Sequence, residues 1–538
     1  MRFAIVEEKK CEPKKCDNLC LRLCPRNKLK EECIKIEKHA MVDESLCVGC
    51  GICSNRCPFE AIKIVNTPEK VGTMVYRYGE NKFALYNLPI PESGRITGII
   101  GRNGIGKSTA MNILFGNIKI DIENLPTIMK LYLQKKRTIS FKPQVLENLT
   151  FKDLSKEAIK KFGIKEKAHY SGGELQKLNI AKCLSKEADL YILDEPTSYL
   201  DVFERHRVAK IIREFLKDKE VIIVEHDLAI LDYLSDHINI LFGSPGAYGV
   251  VSSKYSTLRG INSYLQGYLP VENVQTRKLP IKFDTSATEE LGETKMVGFS
   301  SLEKKLGEFS LKVEAGEIRQ GEILGVLGPN AIGKTTLMEM IAGKISPDKG
   351  EVEKSRISYK PQYLFADYDG NVEEIVPKDM EFKERIGYPL HLDGLYKKKV
   401  KELSGGELQS LAIALCLSKE ADIYLLDEPS AFLDIESRLR LVTLLRQLIK
   451  DKQACAMVID HDLHLAVQIS NRILLFDGEP GKSGHAAIEP TAIAMNKFLK
   501  ELDITFRRDP ENNRFKVNKE GSQLDQEQKA KGKYLVFK

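Results

Sequence analysis

The hexapeptide Ser171-Gly172-Gly173-Glu174-Leu175-Gln176 returns letter for letter at Ser404-Gly405-Gly406-Glu407-Leu408-Gln409. Each copy lies downstream of a phosphate-loop segment, so the chain is constrained to build one nucleotide-handling module twice. In the first module the apolar run 96–100 leads into Gly101-Arg102-Asn103-Gly104-Ile105-Gly106-Lys107-Ser108-Thr109. In the second the run 323–327 leads into Gly328-Pro329-Asn330-Ala331-Ile332-Gly333-Lys334-Thr335-Thr336. Both read as strand, glycine loop, helix start. Glycines let successive backbone N–H groups turn toward phosphate oxygens at a helix N-terminus. The lysine neutralises the outer phosphates, and the Ser108 or Thr335 hydroxyl reaches Mg²⁺.

A lone loop of this kind is compatible with a mere turn. Here Tyr191-Ile192-Leu193-Asp194-Glu195 and Tyr424-Leu425-Leu426-Asp427-Glu428 follow, with the aspartate 23 residues after the hexapeptide serine in both copies. A buried strand ending in Asp delivers a carboxylate to the Mg²⁺ water shell, and the next Glu can orient or deprotonate an attacking water. Asp194 and Asp427 therefore read as metal holders, and Glu195 and Glu428 as the residues that handle water. Gln144 and Gln362, each in Lys-Pro-Gln, and His226 and His461, at the ends of strands expected over 221–224 and 456–459, complete each set. Each can hydrogen-bond a γ-phosphate, water or metal. A single histidine at a strand end reads as a solvated or core residue; recurrence in register reads as part of a site.

The full set resembles the ATP-binding cassette (ABC) superfamily over residues 75–250 and 295–480, the hexapeptide being that superfamily's signature. The resemblance implies an α/β chain with two nucleotide-binding domains of the P-loop NTPase fold paired head-to-tail. Ser404 and Gly406 would face Lys107, and Ser171 and Gly173 would face Lys334. ATP then holds the halves together and its hydrolysis releases them, so the expected output is opening and closing motion.

Nine of the twelve cysteines lie in the first 57 residues: Cys11, Cys16, Cys20, Cys24 before a proline, Cys33, and Cys47, Cys50, Cys53, Cys57 before a proline. The last run resembles the bacterial ferredoxin pattern, in which the fourth cysteine serves the other cluster. That implies two [4Fe–4S] clusters in an α+β ferredoxin-like domain, one on Cys47, Cys50, Cys53 and Cys24, the other on Cys11, Cys16, Cys20 and Cys57. Disulfides are set aside because no secretory signal precedes these cysteines, and zinc rarely uses three close cysteines followed by Cys-Pro. Cys33, Cys183 and Cys416 read as small buried hydrophobes.

With 538 residues and 42% hydrophobic content the chain can build three or four packed domains. No run approaches the roughly 18–20 apolar residues of a membrane span, so a cytoplasmic protein is expected. The formal net charge of +6 does not indicate a DNA-coating role. Local basic residues remain at Arg507 and Arg508 and, between the cassettes, at Lys254, Arg259, Arg277, Lys278 and Lys282. Most such charges are solvated surface; a subset can touch RNA phosphates. The expected division is residues 1–70, the cluster domain; 71–250, the first cassette; 251–294, a connector; 295–480, the second cassette; and 481–538, a second hinge segment. Tyr255, Leu258, Ile261, Tyr264, Leu265, Tyr268 and Leu269 give the connector an apolar face, and 495–502 reads as helix.

The cysteine runs, two cassettes, the connector running from Tyr255-Ser256-Thr257-Leu258-Arg259-Gly260-Ile261-Asn262 to Gly267-Tyr268-Leu269-Pro270-Val271-Glu272-Asn273, and the tail Ile504-Thr505-Phe506-Arg507-Arg508-Asp509 together resemble the E subfamily of cassette proteins. These are the ribosome-recycling ATPases, or RNase L inhibitors. The resemblance implies an archaeal-type monomer whose ATP-driven closure swings the cluster domain and splits ribosomes after termination or stalling. It would act beside a release factor or its homologue, touch rRNA through its hinges, and stay on the small subunit with a link to initiation factors. It also implies that Tyr78 and Phe83 face one adenine and Phe309 the other.

The two halves differ in spacing. From phosphate-loop lysine to glutamine the first cassette takes 37 residues and the second 28; from glutamine to signature serine the numbers are 27 and 42. The first excess falls near 125–136, where family members carry a helix-loop-helix. Here 126–133 allows about two helical turns. The short second interval predicts an unusually small helical subdomain in the first cassette. Two other functions fit parts of the chain: a redox protein whose clusters are gated by ATP, and a soluble energiser of a membrane transporter. The first would need an electron-acceptor motif, which the sequence lacks; the second would need no clusters. A DNA-repair cassette ATPase would need a long insertion that these spans leave no room for.

Overall fold

The computed structural model describes residues 2–44, 46–66, 72–79, 82–147, 149, 151, 154–167, 170–283, 293–362 and 367–536. Its centre is one sheet made twice. The first runs, edge to edge, Met74–Arg77, Ala84–Tyr86, Tyr248–Ser256, His237–Ser244, Arg95–Gly101, Glu220–Val224, Leu190–Asp194 and Ile139–Lys142. The second has the same order: Leu302–Leu306, Phe309–Val313, Ser483–Pro490, Arg472–Glu479, Ile323–Leu327, Cys455–Ile459, Ile423–Asp427 and Ile357–Lys360. The inner strands pair in parallel and are covered on both faces, which is why they read as unbroken apolar runs instead of alternating ones. Both phosphate loops leave a central strand and enter a helix, Lys107–Phe115 in one cassette and Lys334–Ile341 in the other.

The two sheets run past the boundaries expected at 250 and 480. Tyr248–Ser256 crosses the first, and Ser483–Pro490 lies wholly beyond the second while pairing along its length with Arg472–Glu479. Of the connector's apolar face, Tyr255, Ile261, Tyr264, Leu265 and Leu269 are buried, but Leu258 and Tyr268 are exposed. The helix Thr257–Gln266 turns Leu258 outward, and Tyr268 directs its hydroxyl to Asn273. The tail forms a helix, Thr491–Glu501, then a hairpin of Phe506–Arg508 with Phe515–Val517, then Gln523–Ala530.

The spacing differences take physical form. The extra residues of the first cassette make a two-turn helix, Thr127–Gln134. Its described helical subdomain is the single short helix Lys156–Phe162, started by the Ser155 cap, whereas the second cassette packs Val372, Phe382, Ile386, Leu392 and Val400 from a series of turns into its core. Residues 2–66 form a separate small core. Arg2–Val6 pairs with Ile62–Asn66, and Ile34–Ile36 with Ala40–Val42, around the cysteines. Among the described residues no helix is long and apolar enough to cross a membrane.

Candidate active site: two composite nucleotide sites

Each signature serine starts a helix, Gly172–Ser185 or Gly405–Leu417, and each start is a capping box. The Ser171 hydroxyl accepts from the Glu174 N–H and the Glu174 carboxylate accepts from the Ser171 N–H at 3.0 Å; Ser404 donates likewise to Glu407 at 2.9 Å. The repeated Ser-x-x-Glu thus satisfies the helix's first free donors reciprocally and sets the signature amides facing outward.

In the phosphate loops Gly104 and Gly106 have φ of +72° and +100°, and Gly333 has +105°. Lys107 and Lys334 are buried; Lys107 Nζ donates to the Gly101 and Arg102 carbonyls at 2.8 and 3.0 Å, and Lys334 Nζ to those of Gly328 and Pro329 at 2.7 and 2.8 Å. Burial lowers both ammonium groups, Lys334 to about 8. Phe83 and Phe309 lie against the last glycine of their own loops, Gly106 and Gly333. Tyr78 is exposed, with its hydroxyl 3.3 Å from Thr109 Oγ1.

The strands Leu190–Asp194 and Ile423–Asp427 end in the paired acids. Asp194 and Asp427 are buried, and burial with the adjacent glutamate raises each to about 6. Thr335 Oγ1 donates to Asp427 at 3.0 Å, joining two of the expected metal holders. Gln144 and Gln362 turn their amides to Glu195 and Glu428, at 2.7 Å in both cassettes. His226 Nε2 lies 3.5 Å from Glu195 and His461 Nε2 3.3 Å from Glu428. Among the described residues neither of these buried Nε2 atoms has a hydrogen-bond partner, and burial pulls His226 down to about 4, so its imidazole is neutral. An unpartnered polar atom beside a carboxylate, a glycine cradle and a buried lysine fit a polyphosphate with its Mg²⁺.

The phosphate loop of each cassette is held by the other cassette. Asp434 accepts from the Asn103 N–H at 2.9 Å, and Asp201 from the Asn330 N–H at 2.7 Å. Asn103 Nδ2 donates to the Phe432 carbonyl at 3.1 Å and would lie 3.3 Å from a Cβ at Gly406, so Lys107's loop and the second signature share one surface. Tyr199 and Phe432 meet edge to face between the two sites, ring centroids 5.5 Å apart. Burial would raise the Asp434 carboxyl, but the Asn103 and Ser437 N–H groups hold it at about 2. Asp201 and Asp434 escaped sequence reasoning, although a visible signal existed: each lies thirty residues after its signature serine.

In the N-terminal unit the thiols fall into two neighbourhoods. Cys20 interacts with Cys11, Cys16 and Cys57, and Cys53 with Cys47, Cys50 and, across the two groups, Cys20; Cys24 and Cys47 both meet Cys33. Cys33 is fully buried and touches expected ligands instead of packing only on hydrocarbon. Backbone N–H groups of Ala40, Ala4 and Ala61 donate to the sulfurs of Cys11, Cys47 and Cys57 at 3.3, 3.3 and 3.4 Å. Burial and neighbouring thiols push Cys20 and Cys53 up to about 11. Sulfurs that accept amide hydrogen bonds and repel one another as thiolates fit cationic iron clusters. Among the described residues no three such side chains converge on a single-ion site; a four-iron cage needs its thiolates spread apart.

Of the basic residues noted in the sequence, Lys254 pairs with Glu92, Arg277 with Glu436 of the second cassette, and Arg508 lies over Phe515. Arg259, Lys278, Lys282 and Arg507 are exposed.

The ABC transporter family model matches residues 90–198 and 311–431, the 4Fe-4S binding domain model 40–63, and the model described as a possible Fer4-like domain in RNase L inhibitor 1–32. An uncharacterized ABC transporter ATP-binding protein of Methanocaldococcus jannaschii is 43% identical, over 99% of this chain and 97% of its own. Translation initiation factor RLI1 of Saccharomyces cerevisiae is 38% identical, over 100% and 98%. A solved structure described as a model of ribosome-bound archaeal Pelota and ABCE1 superposes with a TM-score of 0.93 at 41% identity, covering 99% of both chains. With both cassettes and both cysteine runs in the same order, the chain belongs to the RNase L inhibitor family, the E subfamily of ABC ATPases, and carries that family's ATP sites and [4Fe–4S] domain.

Proposed function

We propose that this protein is a cytoplasmic, monomeric ribosome-recycling ATPase, which splits ribosomes after termination or stalling and stays on the small subunit with a link to initiation. The observation that carries the reading is the reciprocal hold of each phosphate loop by the other cassette, Asn103 on Asp434 and Asn330 on Asp201, with the cysteine unit resting on both halves through Arg77–Glu44, Lys82–Glu8 and Lys397–Glu12. Closing the cassettes must therefore move the unit. The yeast relative is named a translation initiation factor, and the similar solved structure is described as a model of ribosome-bound archaeal Pelota and ABCE1.

In this reading Lys107 with Gly101, Asn103, Gly104, Gly106, Ser108 and Thr109 binds one ATP, and Ser404 and Gly406 cover it. Lys334 with Gly328, Asn330, Gly333, Thr335 and Thr336 binds the other under Ser171 and Gly173. Phe83 and Phe309, with Tyr78, flank the adenines. Bound Mg²⁺ neutralises phosphate charge, and Ser108, Asp194 and Gln144, or Thr335, Asp427 and Gln362, would hold it. Glu195 and Glu428 orient or deprotonate the attacking water, while His226, held neutral by burial, and His461 hydrogen-bond the γ-phosphate. The clusters would cross-link a domain of some 70 residues too small to be stiff by its own core, held by Cys11, Cys16, Cys20 and Cys57 and by Cys24, Cys47, Cys50 and Cys53. The exposed hinge residues Arg259, Lys278, Lys282 and Arg507 contact rRNA phosphates, and the partner is a release factor or its stalled-ribosome homologue.

Sucrose-gradient analysis of ribosomes incubated with the anaerobically reconstituted protein, a release factor and ATP tests this. Free subunits should accumulate with wild type, and Glu195→Gln with Glu428→Gln should remain on the small subunit. Intact ribosomes with neither form bound would overturn it.

A further inference from the structure

In a protein interior an ammonium group is rare unless something specific needs it. This chain buries one at the same place in both cassettes, Lys142 and Lys360, each 1% exposed. Among the described residues neither pairs with a carboxylate at hydrogen-bond distance. Lys142 Nζ donates to the backbone carbonyls of Asp194 and Glu195 at 2.8 and 3.2 Å, and Lys360 Nζ to those of Asp427 and Glu428 at 2.7 and 3.3 Å.

Glu195 and Glu428 both have φ of +48°, the left-handed region. For a residue with a side chain this costs about 1 kcal/mol and persists only where the surroundings fix it. Two donors converge on each glutamate carbonyl: the lysine, and a signature glutamine, Gln176 to Glu195 and Gln409 to Glu428, at 2.7 Å in both. The carboxylate end of the same glutamate accepts from Gln144 or Gln362. Lysine and glutamine are separated by one proline, whose fixed φ makes the spacing between them stiff.

We propose that Lys142 and Lys360 are positioning residues that, with Gln144 and Gln362, clamp the water-handling glutamate of their own cassette by both its ends. The lysine sets the peptide plane from which the side chain departs, and the glutamine sets the carboxylate. Any movement of the Lys-Pro-Gln segment therefore reaches the glutamate along two routes at once. The inference rests on the assignment of Glu195 and Glu428 as hydrolytic residues, and its test separates the two.

The full-length reconstituted protein is assayed for steady-state ATP turnover and for equilibrium binding of a fluorescent ATP analogue. Lys142→Met with Lys360→Met keeps most of the unbranched side chain and removes the donor. Turnover is expected to fall at least about tenfold while nucleotide affinity stays within about threefold, the split expected of an interaction that matters only in the reaction step. Lys142→Arg with Lys360→Arg should recover part of the turnover. Unchanged turnover, or turnover and affinity falling together, would overturn the proposal. Should the methionine pair fail to fold, Lys142→Gln with Lys360→Gln retains a shorter, neutral donor and is read by the same split. Glu195→Gln with Glu428→Gln runs alongside: retained hydrolysis there removes the glutamate assignment itself, whereas loss there with no effect of the lysine changes removes only the clamp.

Discussion

A methyl group added at Gly106 would lie 2.5 Å from the Phe83 ring at a φ of +100°; at Gly333, with φ +105°, it would meet Leu311 and Phe309 at 3.0 and 3.1 Å. Backbone strain of about 1 kcal/mol is common to both, and the clash is worse in the first. Gly106→Ala should therefore weaken nucleotide binding at its site by at least about tenfold, and Gly333→Ala by less. Titrating a fluorescent nucleotide into each variant decides; equal losses would contradict the geometry. Asp434→Ala removes the acceptor of the Asn103 N–H, a charge-assisted bond worth about 1.5–3 kcal/mol. It should reduce ATP-dependent closure seen by small-angle scattering, with Asp434→Asn intermediate. At this scale the residues that the structure gathers at each phosphate loop, Lys107, Asp194, Glu195 and their copies, could be picked out of the sequence because such chemistry demands one residue type at one place. Lys142, Asp201 and their copies stayed hidden because their partners are backbone groups, and a backbone carbonyl or N–H leaves no mark in the sequence.

At the scale of elements, duplication of the motifs foretold duplication of the sheet, and interval lengths foretold the two-turn helix Thr127–Gln134 and the slight first helical subdomain. The hinge was harder to read, because strands of two or three residues such as Tyr268–Leu269 and Phe515–Val517 carry no periodicity. Phe515 packs on His464 of helix Leu463–Ile469, which lies between Phe283 and Phe515 with ring centroids at 5.0 and 5.2 Å. Its Nδ1 accepts from the Phe515 N–H at 3.4 Å and must keep its lone pair. Burial lowers its pKa, with Arg514 and Arg438 adding to the shift against Asp462 and Asp227. Below about pH 6.5 the unfolded chain binds a proton that the folded one refuses, so this residue's contribution to stability is lost as pH falls from there. Urea midpoints at about pH 7.5 and pH 5.5 should differ less in His464→Phe than in wild type. Identical differences would mean that other groups set the slope.

Across the whole molecule, the tail ties the cassettes together. Arg514, 0% exposed, reaches Asp232 at 3.2 Å and the Leu228 carbonyl at 3.3 Å, both in the first cassette's helix Leu228–Leu234. Arg514→Met should cost about 3 kcal/mol and split one calorimetric transition into two as the cassettes lose their common strap; a single unshifted transition would argue against that role. The cysteine unit makes its own long-range contact. Lys397 of the second cassette lies 3.7 Å from Glu12 and 4.9 Å from the Phe59 ring. Glu12 adjoins Cys11, and Phe59 is two residues beyond Cys57, so both partners are next to thiols of one neighbourhood. A displacement of that cassette would then alter the field around the cluster held by this neighbourhood more than around the other. The paramagnetic spectrum of the reduced protein would thus act as a built-in position gauge, its two signals diverging as the halves part.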